Sequence, residues 1–294
     1  MIKRSIIFMT LALALTTLCQ AQSRKVINLL SWDFSRDGKA WQQVAVPHDW
    51  AISGPFDKKW DLQMVAIEQN GETEKTEKSG RSGALPWIGE GMYKMNWTAP
   101  KGYKRAVLVF DGAMSQPVVS VNGKEAGRWA YGYNAFRIDI TPFIQFGKNN
   151  LIEVHLNNVE ESSRWYPGGG LYRPVSVELY GNENFSTWDT FVRTLKADKQ
   201  EAEIEVNALL EGKTGKSGKT VIALLDEAGK KVAEQTVTGA NPEIKTTLKV
   251  ANPQLWSPES PYLYQVKLTR YEGKKVADVQ TLKTGIRTIA VSKE

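Results

Sequence analysis

The sequence predicts an all-β protein, and three observations carry the prediction. Short segments rich in β-branched and aromatic residues alternate with Gly, Pro, Asn and Asp at the spacing of a sandwich or barrel. Asn122-Gly123 lies between two extended runs, and both residues tolerate the positive φ of a tight hairpin. Outside Ile6 to Leu18, no stretch sustains the 3.6-residue apolar period of a helix, which argues against a parallel α/β sheet. In chain order, Ala106 to Asp111, Pro117 to Val121, Arg137 to Ile140, Asn150 to Leu156 and Pro174 to Tyr180 read as strands. Around Gly181 to Phe185 the composition changes from Trp-dense to rich in Lys, Glu, Thr and Val, so a domain boundary is expected there. Seven further candidates follow: Thr187 to Leu195, Glu201 to Leu210, Thr220 to Asp226, Lys231 to Thr238, Ile244 to Val250, Tyr262 to Tyr271 and Lys274 to Gly285. Seven short strands in one such unit are the footprint of an immunoglobulin-like sandwich. With no Cys pair, its apolar core alone must hold it.

The first residues address a compartment. Lys3 and Arg4 precede the apolar run, and Cys19-Gln20-Ala21 supplies small residues where a signal peptidase reads, so residues 1–21 are expected to be an export signal. The protein is then expected in the periplasm or secreted. The run is too short for a mature membrane span, and no later segment approaches the roughly 20 apolar residues one needs. The only Cys is Cys19, so cleavage after Ala21 leaves no thiol, disulfide or Cys metal site. A lipoprotein acylated at Cys19 is the less favoured alternative, because Leu18 is bulky where the processing enzyme wants a small residue.

Composition narrows the function classes. In 294 residues, 41% are apolar and 24% charged, which excludes intrinsic disorder. The net charge of +6 is spread thinly, without the basic runs that neutralise a phosphate backbone, so nucleic acid is not an expected partner. Gly212-Lys213-Thr214-Gly215-Lys216-Ser217 resembles the end of a P-loop, but Leu210 stands where its first Gly belongs, and the segment reads as a hairpin loop. His48 and His155 lack a spaced acidic or Cys partner, so no metal and no cofactor is expected. Neither is near a candidate nucleophilic Ser. Trp87, Trp129, Tyr131 and Tyr133 could stack against a sugar or simply fill the core.

An ordered series of short motifs remains. Val46-Pro47-His48-Asp49-Trp50 is followed by Gly83-Ala84-Leu85-Pro86, Gly91-Met92-Tyr93-Lys94, Phe110-Asp111-Gly112, Val121-Asn122-Gly123 and Gly132-Tyr133 with Phe136. Then come Asp139-Ile140-Thr141, Asn149-Asn150-Leu151 and Ser163-Arg164-Trp165-Tyr166-Pro167-Gly168-Gly169-Gly170-Leu171-Tyr172-Arg173. Trp256-Ser257-Pro258, Pro261-Tyr262-Leu263-Tyr264 and Gly285-Ile286-Arg287 close the series. In order and spacing it resembles the N-terminal region of glycoside hydrolase family 2, most of all its bacterial β-galactosidases.

The resemblance implies a jelly-roll, sugar-binding-like β-sandwich over 24–181 and an immunoglobulin-like β-sandwich over 185–294. The family's third part, a TIM barrel with the two catalytic carboxylates, needs about 250 residues and is expected to be absent from this sequence. Cleavage by a retaining glycosidase needs a carboxylate nucleophile and a carboxylic acid on one scaffold, so no catalytic residue is assigned. Asn182-Glu183 matches the family's Asn-Glu pairing only as a dipeptide. The family also implies a pocket-rim role for the Arg of the Ser-Arg-Trp-Tyr-Pro-Gly segment, making Arg164 the expected contact to a β-galactoside or related glycan, with Trp165 and Tyr166 walling the pocket. A guanidinium presents a planar set of donors to sugar hydroxyls. The bland alternative pairs Arg164 with an acid and buries Trp165 between domains. His48 and Asp49 are expected to bond the backbone in a turn. Besides the enzyme-fragment reading, a free-standing carbohydrate-binding module and an adaptor for a separately encoded barrel stay open. Galactosidase, glucuronidase and mannosidase relatives share the architecture, so the sugar is not fixed.

Overall fold

The computed structural model describes residues 24–61, 85–159, 168–213, 215 and 218–291, so the expected export leader lies outside it. Among the described residues the only helical element is one 3-10 turn, Lys58–Trp60. Every ladder between strands is antiparallel, as the short hairpin-rich pattern requires.

The first unit pairs two sheets. One has the order β1 (Lys25–Asn28), β10 (Val175–Tyr180), β5 (Arg105–Phe110), β8 (Phe136–Asp139). The other runs β3 (Gln42–Ala45), β2 (Ser31–Ser35), β4 (Glu90–Thr98), β9 (Asn149–Asn157), β6 (Val118–Val121), β7 (Lys124–Arg128). Period-two patterning fixes what each buries. Along β9, Asn150, Ile152, Val154 and Leu156 point inward, and along β10 so do Val175, Val177 and Leu179. They join Trp32, Phe34, Trp50, Tyr93 and Phe110 in one apolar cluster. Each large side chain buried there contributes roughly 1.5–3 kcal/mol. Asn122 and Gly123 close the β6–β7 hairpin with φ of 52° and 77°.

The second unit pairs β11 (Glu183–Phe185), β12 (Phe191–Ala197) and β16 (Glu243–Ala251) with β13 (Glu201–Gly212) in one sheet. The other has the order β15 (Lys231–Thr238), β14 (Gly218–Leu225), β17 (Tyr264–Glu272), β18 (Lys275–Thr284). Ile204, Val206, Ile222, Leu224, Val266 and Leu268 form its core. All seven expected strands are present, and β11 is added. The hairpin expected at 212–217 is corrected, because β13, which ends at Gly212, and β14, which starts at Gly218, lie in different sheets.

The alternation that turns Tyr264, Val266 and Leu268 inward along β17 also turns Arg270 inward. Its fully buried guanidinium bonds Glu183 Oε2 at 2.7 Å, with Thr220 Oγ1 and the Gly239 carbonyl each at 3.3 Å. Glu183 Oε1 accepts the Gly215 N–H. Glu183 is thus committed to holding the second core, which removes the one Asn-Glu acid from chemistry. A second set of charges joins the units. Arg24 bonds the Phe185 carbonyl at 2.6 Å and pairs with Asp278 at 3.3 Å, and Arg105 links Asp139, at 2.9 Å, to Glu211.

Removing one partner of a buried pair leaves the other uncompensated. Glu183→Ala is therefore expected to lower the unfolding free energy by about 3–5 kcal/mol in urea titrations. The double variant Glu183→Leu/Arg270→Met should recover most of that loss, and equal losses in both would contradict this role.

Candidate functional site

At one end of the first unit, four chain segments converge. They are the loop after β3, the start of β4, the turn after β5 and the Gly168–Arg173 run before β10. His48 N–H donates to the Leu171 carbonyl at 2.7 Å and Trp50 N–H to the Gly169 carbonyl at 3.0 Å. Met114 and Gly170 exchange both backbone bonds, at 3.0 and 2.8 Å. Asn158, buried at the end of β9, donates its side-chain amide to the Gly168 carbonyl at 3.0 Å, while its own N–H bonds the Gly89 carbonyl at 3.0 Å. The two ends of the stretch that bears Arg164 are thereby joined.

Glycine is obligatory in this run. A Cβ on Gly169 would fall 2.3 Å from Trp50 Nε1, and one on Gly170 would fall 2.4 Å from the Tyr93 hydroxyl. Gly170 also has φ of 101°, which a side chain strains against. Beneath the glycines lies an aromatic floor: Phe34 sits 4.8 Å from Tyr93 and 5.7 Å from Trp50, and Trp87 sits 5.5 Å from Trp50. The Tyr93 hydroxyl accepts the Leu171 N–H at 3.4 Å and bonds His48 Nδ1 at 2.8 Å. Burial pushes the Tyr93 hydroxyl far above its ordinary range, so it stays protonated. Burial also lowers the His48 pKa, against the pull of Asp49 and with help from Arg36, so the imidazole is neutral near pH 7.

Arg164, Trp165 and Tyr166 lie outside the described residues. Asp49 makes the expected side-chain to backbone bond, accepting the Ala51 N–H at 3.0 Å, whereas the His48 ring bonds the Tyr93 hydroxyl instead of backbone, and Trp50 is fully buried. Of the four residues that could stack or fill the core, Trp87 fills the core, with the Arg36 guanidinium 4.8 Å from its ring centre. Trp129 and Tyr131 are exposed, at 39% and 57%, and Tyr133 is half-buried. His155 meets Glu90 at 3.2 Å on an exposed face. Among the described residues, no group of three His, Cys, Asp or Glu side chains is placed to hold a metal ion, and no helix is long and apolar enough to cross a membrane. Sequence reasoning missed Asn158 and the Tyr93 hydroxyl. Asn158 continues the inward series Asn150, Ile152, Val154, Leu156, and a polar side chain in that register is the signal that would have found it.

This architecture defines an all-β, two-sandwich assembly with a glycine-clamped loop at one end. Residues 186–287 match the model for glycosyl hydrolases family 2, and the chain belongs to that family. It is 31% identical over 261 residues to Beta-galactosidase BoGH2A of Bacteroides ovatus, covering 85% of this chain and 29% of that protein. It is 26% identical over 292 residues to a Beta-glucuronidase of Formosa agariphila, covering 89% of this chain and 28% of that protein. A glycosyl hydrolase family 2 member from Bacteroides cellulosilyticus superposes with a TM-score of 0.74 at 30% identity, over 92% of this chain and 36% of that one. The chain spans about a quarter of the length of the curated relatives it matches, 24% and 29% for the first two.

Two outcomes test the clamp. Gly169→Ala should lower the unfolding midpoint, because the added methyl displaces the buried Trp50 ring; overpacking of this kind costs about 1–3 kcal/mol. An unchanged midpoint would refute the contact. Because the folded-state pKa of His48 is depressed, its contribution to stability is present above the unfolded value of about 6.5 and is lost as pH falls below it. The C2 proton of His48 in NMR titrations should accordingly shift only below that pH, and a midpoint at or above 6.5 would contradict its buried, neutral state.

Proposed function

We propose that the chain is the noncatalytic front part of a β-galactosidase-like family 2 glycosidase. In this reading it scaffolds a TIM barrel that carries the catalytic carboxylates, and it supplies part of the rim of the sugar pocket. The observation that carries the reading is the bonding of Gly168 to Leu171 onto His48, Trp50 and Met114, because a pocket-rim side chain acts only if its backbone is fixed. Arg164 stands four residues before this anchored run in the sequence and would present its guanidinium to neighbouring sugar hydroxyls, with Trp165 and Tyr166 beside it. The similarity to a protein named as a β-galactosidase and another named as a β-glucuronidase supports a β-linked sugar as substrate. The export signal read in residues 1–21, Lys3 and Arg4 before an apolar run, supports action in the periplasm or outside the cell.

A free-standing carbohydrate-binding module is the second reading, favoured by the exposure of Trp129 and Tyr131. The two separate in one experiment. The chain alone is expected to release no nitrophenol from nitrophenyl β-galactoside or β-glucuronide, while a protein carrying the chain together with a family 2 barrel turns one of them over. In that protein, Arg164→Ala should lower kcat/KM by about tenfold to a hundredfold, the loss of one or two charge-assisted hydrogen bonds. Turnover by the chain alone, or full activity of the variant, would overturn the proposal.

A further inference from the structure

Three rings lie nearly parallel at the edge of the first unit. Phe110 and Phe136, cross-strand partners on β5 and β8, stack with centroids 4.6 Å apart and planes 6° from parallel. Trp129, just past the end of β7, continues the stack on Phe136 at 5.6 Å and 8°. Both phenyl rings are fully buried, and the indole that ends the ladder is 39% exposed. One face of the indole is covered by Phe136, so the exposure falls on its opposite face and edge. Its orientation is set from two further directions: Nε1 donates to Asn134 Oδ1 at 2.9 Å, and its backbone N–H bonds the Pro117 carbonyl at 3.0 Å.

The surroundings suit a sugar better than a greasy partner. Tyr131, 57% exposed, stands next along the loop, with its ring 5.4 Å from Tyr133 and inclined at 56°. The loop is fastened to the run that holds the candidate site. Tyr172 donates to the Gly132 carbonyl at 2.8 Å, and Arg173 donates to the Tyr133 carbonyl at 2.9 Å. The same run carries Gly170, bonded to Met114. A fixed flat ring with the Asn134 amide at its edge and exposed phenol on the same loop complements a pyranose, which has an apolar C–H face and a rim of hydroxyls.

We infer that the 129–134 loop is a stacking platform for a sugar unit of an extended glycan, with Trp129 as its base and Tyr131 as its wall. The choice of a glycan rests on the proposed function. The platform is joined through Tyr172 and Arg173 to the anchored run beside Arg164, so it would hold a sugar beyond the one cleaved and favour oligosaccharides over simple glycosides.

Titrating the chain with β-1,4-galactotetraose, cellotetraose and methyl β-galactoside, read by Trp fluorescence and by the NMR signal of the Trp129 Nε1 proton, tests this. Saturable binding of a tetrasaccharide is expected, at least about fivefold weaker in Trp129→Ala. Trp129→Phe keeps a ring on Phe136 and should retain most of the affinity, and Trp188→Ala, an exposed indole on the second unit, should retain all of it. Thermal unfolding of each variant separates lost binding from lost fold. Equal affinity in folded Trp129→Ala, or no binding of any of the three probes, would overturn the platform. Neither result bears on whether the barrel-bearing protein hydrolyses nitrophenyl glycosides, so failure of the platform and failure of the glycosidase reading are told apart.

Discussion

The close approach of the Gly169-Gly170 backbone to Trp50 and Tyr93 constrains the rest of the first unit. Two residues without side chains let main chain lie directly on a buried indole and a buried phenol, and the backbone bonds to His48, Trp50 and Met114 become possible only at that distance. The aromatic floor serves the core and the loop at once. Its rings are held by Phe34 on β2 and by the start of β4, so the six-stranded sheet and the loop before β10 share one set of contacts. A neutral His48 and a protonated Tyr93 bond each other and the Leu171 N–H without burying charge.

Charge is buried elsewhere, and there it is paired. Arg270 occupies an inward position on β17 that alternation would assign to an apolar residue, and Glu183 comes from the junction between the units to meet it. The short strand β11 is therefore both the end of the connection and part of the second core. Arg24 and Arg105 tie the same junction from the side of the first unit, through Phe185, Asp278 and Glu211. These pairs fasten one unit to the other across the junction.

Much of this was legible in the sequence where the signal is local. β-Branched and aromatic runs between turn residues marked β9, β10, β13 and β17, and Asn122-Gly123 marked its hairpin, because composition and turn chemistry act over a few residues. The connection at 212–217 was misread as a hairpin since nothing local distinguishes a loop that turns back from one that crosses between sheets. β11 escaped because three residues carry no period. Trp87, Trp129, Tyr131 and Tyr133 read alike in the sequence, as stacking or core residues, and only the fold separates Trp87, whose ring meets Arg36, a residue 51 positions earlier in the chain. The Arg24–Asp278 and Arg105–Glu211 pairs span 254 and 106 residues, a separation at which only the fold decides who meets whom. For the candidate site, Arg164, Trp165 and Tyr166 are named by family resemblance alone and lie outside the described residues, whereas the glycines that follow them have a physical reason the structure supplies.

We propose that Arg164, on the stretch that ends in the anchored run before β10, meets the substrate of a family 2 glycosidase. A crystal structure of a protein bearing this chain and a barrel, with a β-linked sugar bound, tests this most directly. The Arg164 guanidinium is then expected within hydrogen-bond reach of a sugar hydroxyl, with Gly169 still packed on Trp50. A sugar held with no group from residues 160–173 within reach would contradict it.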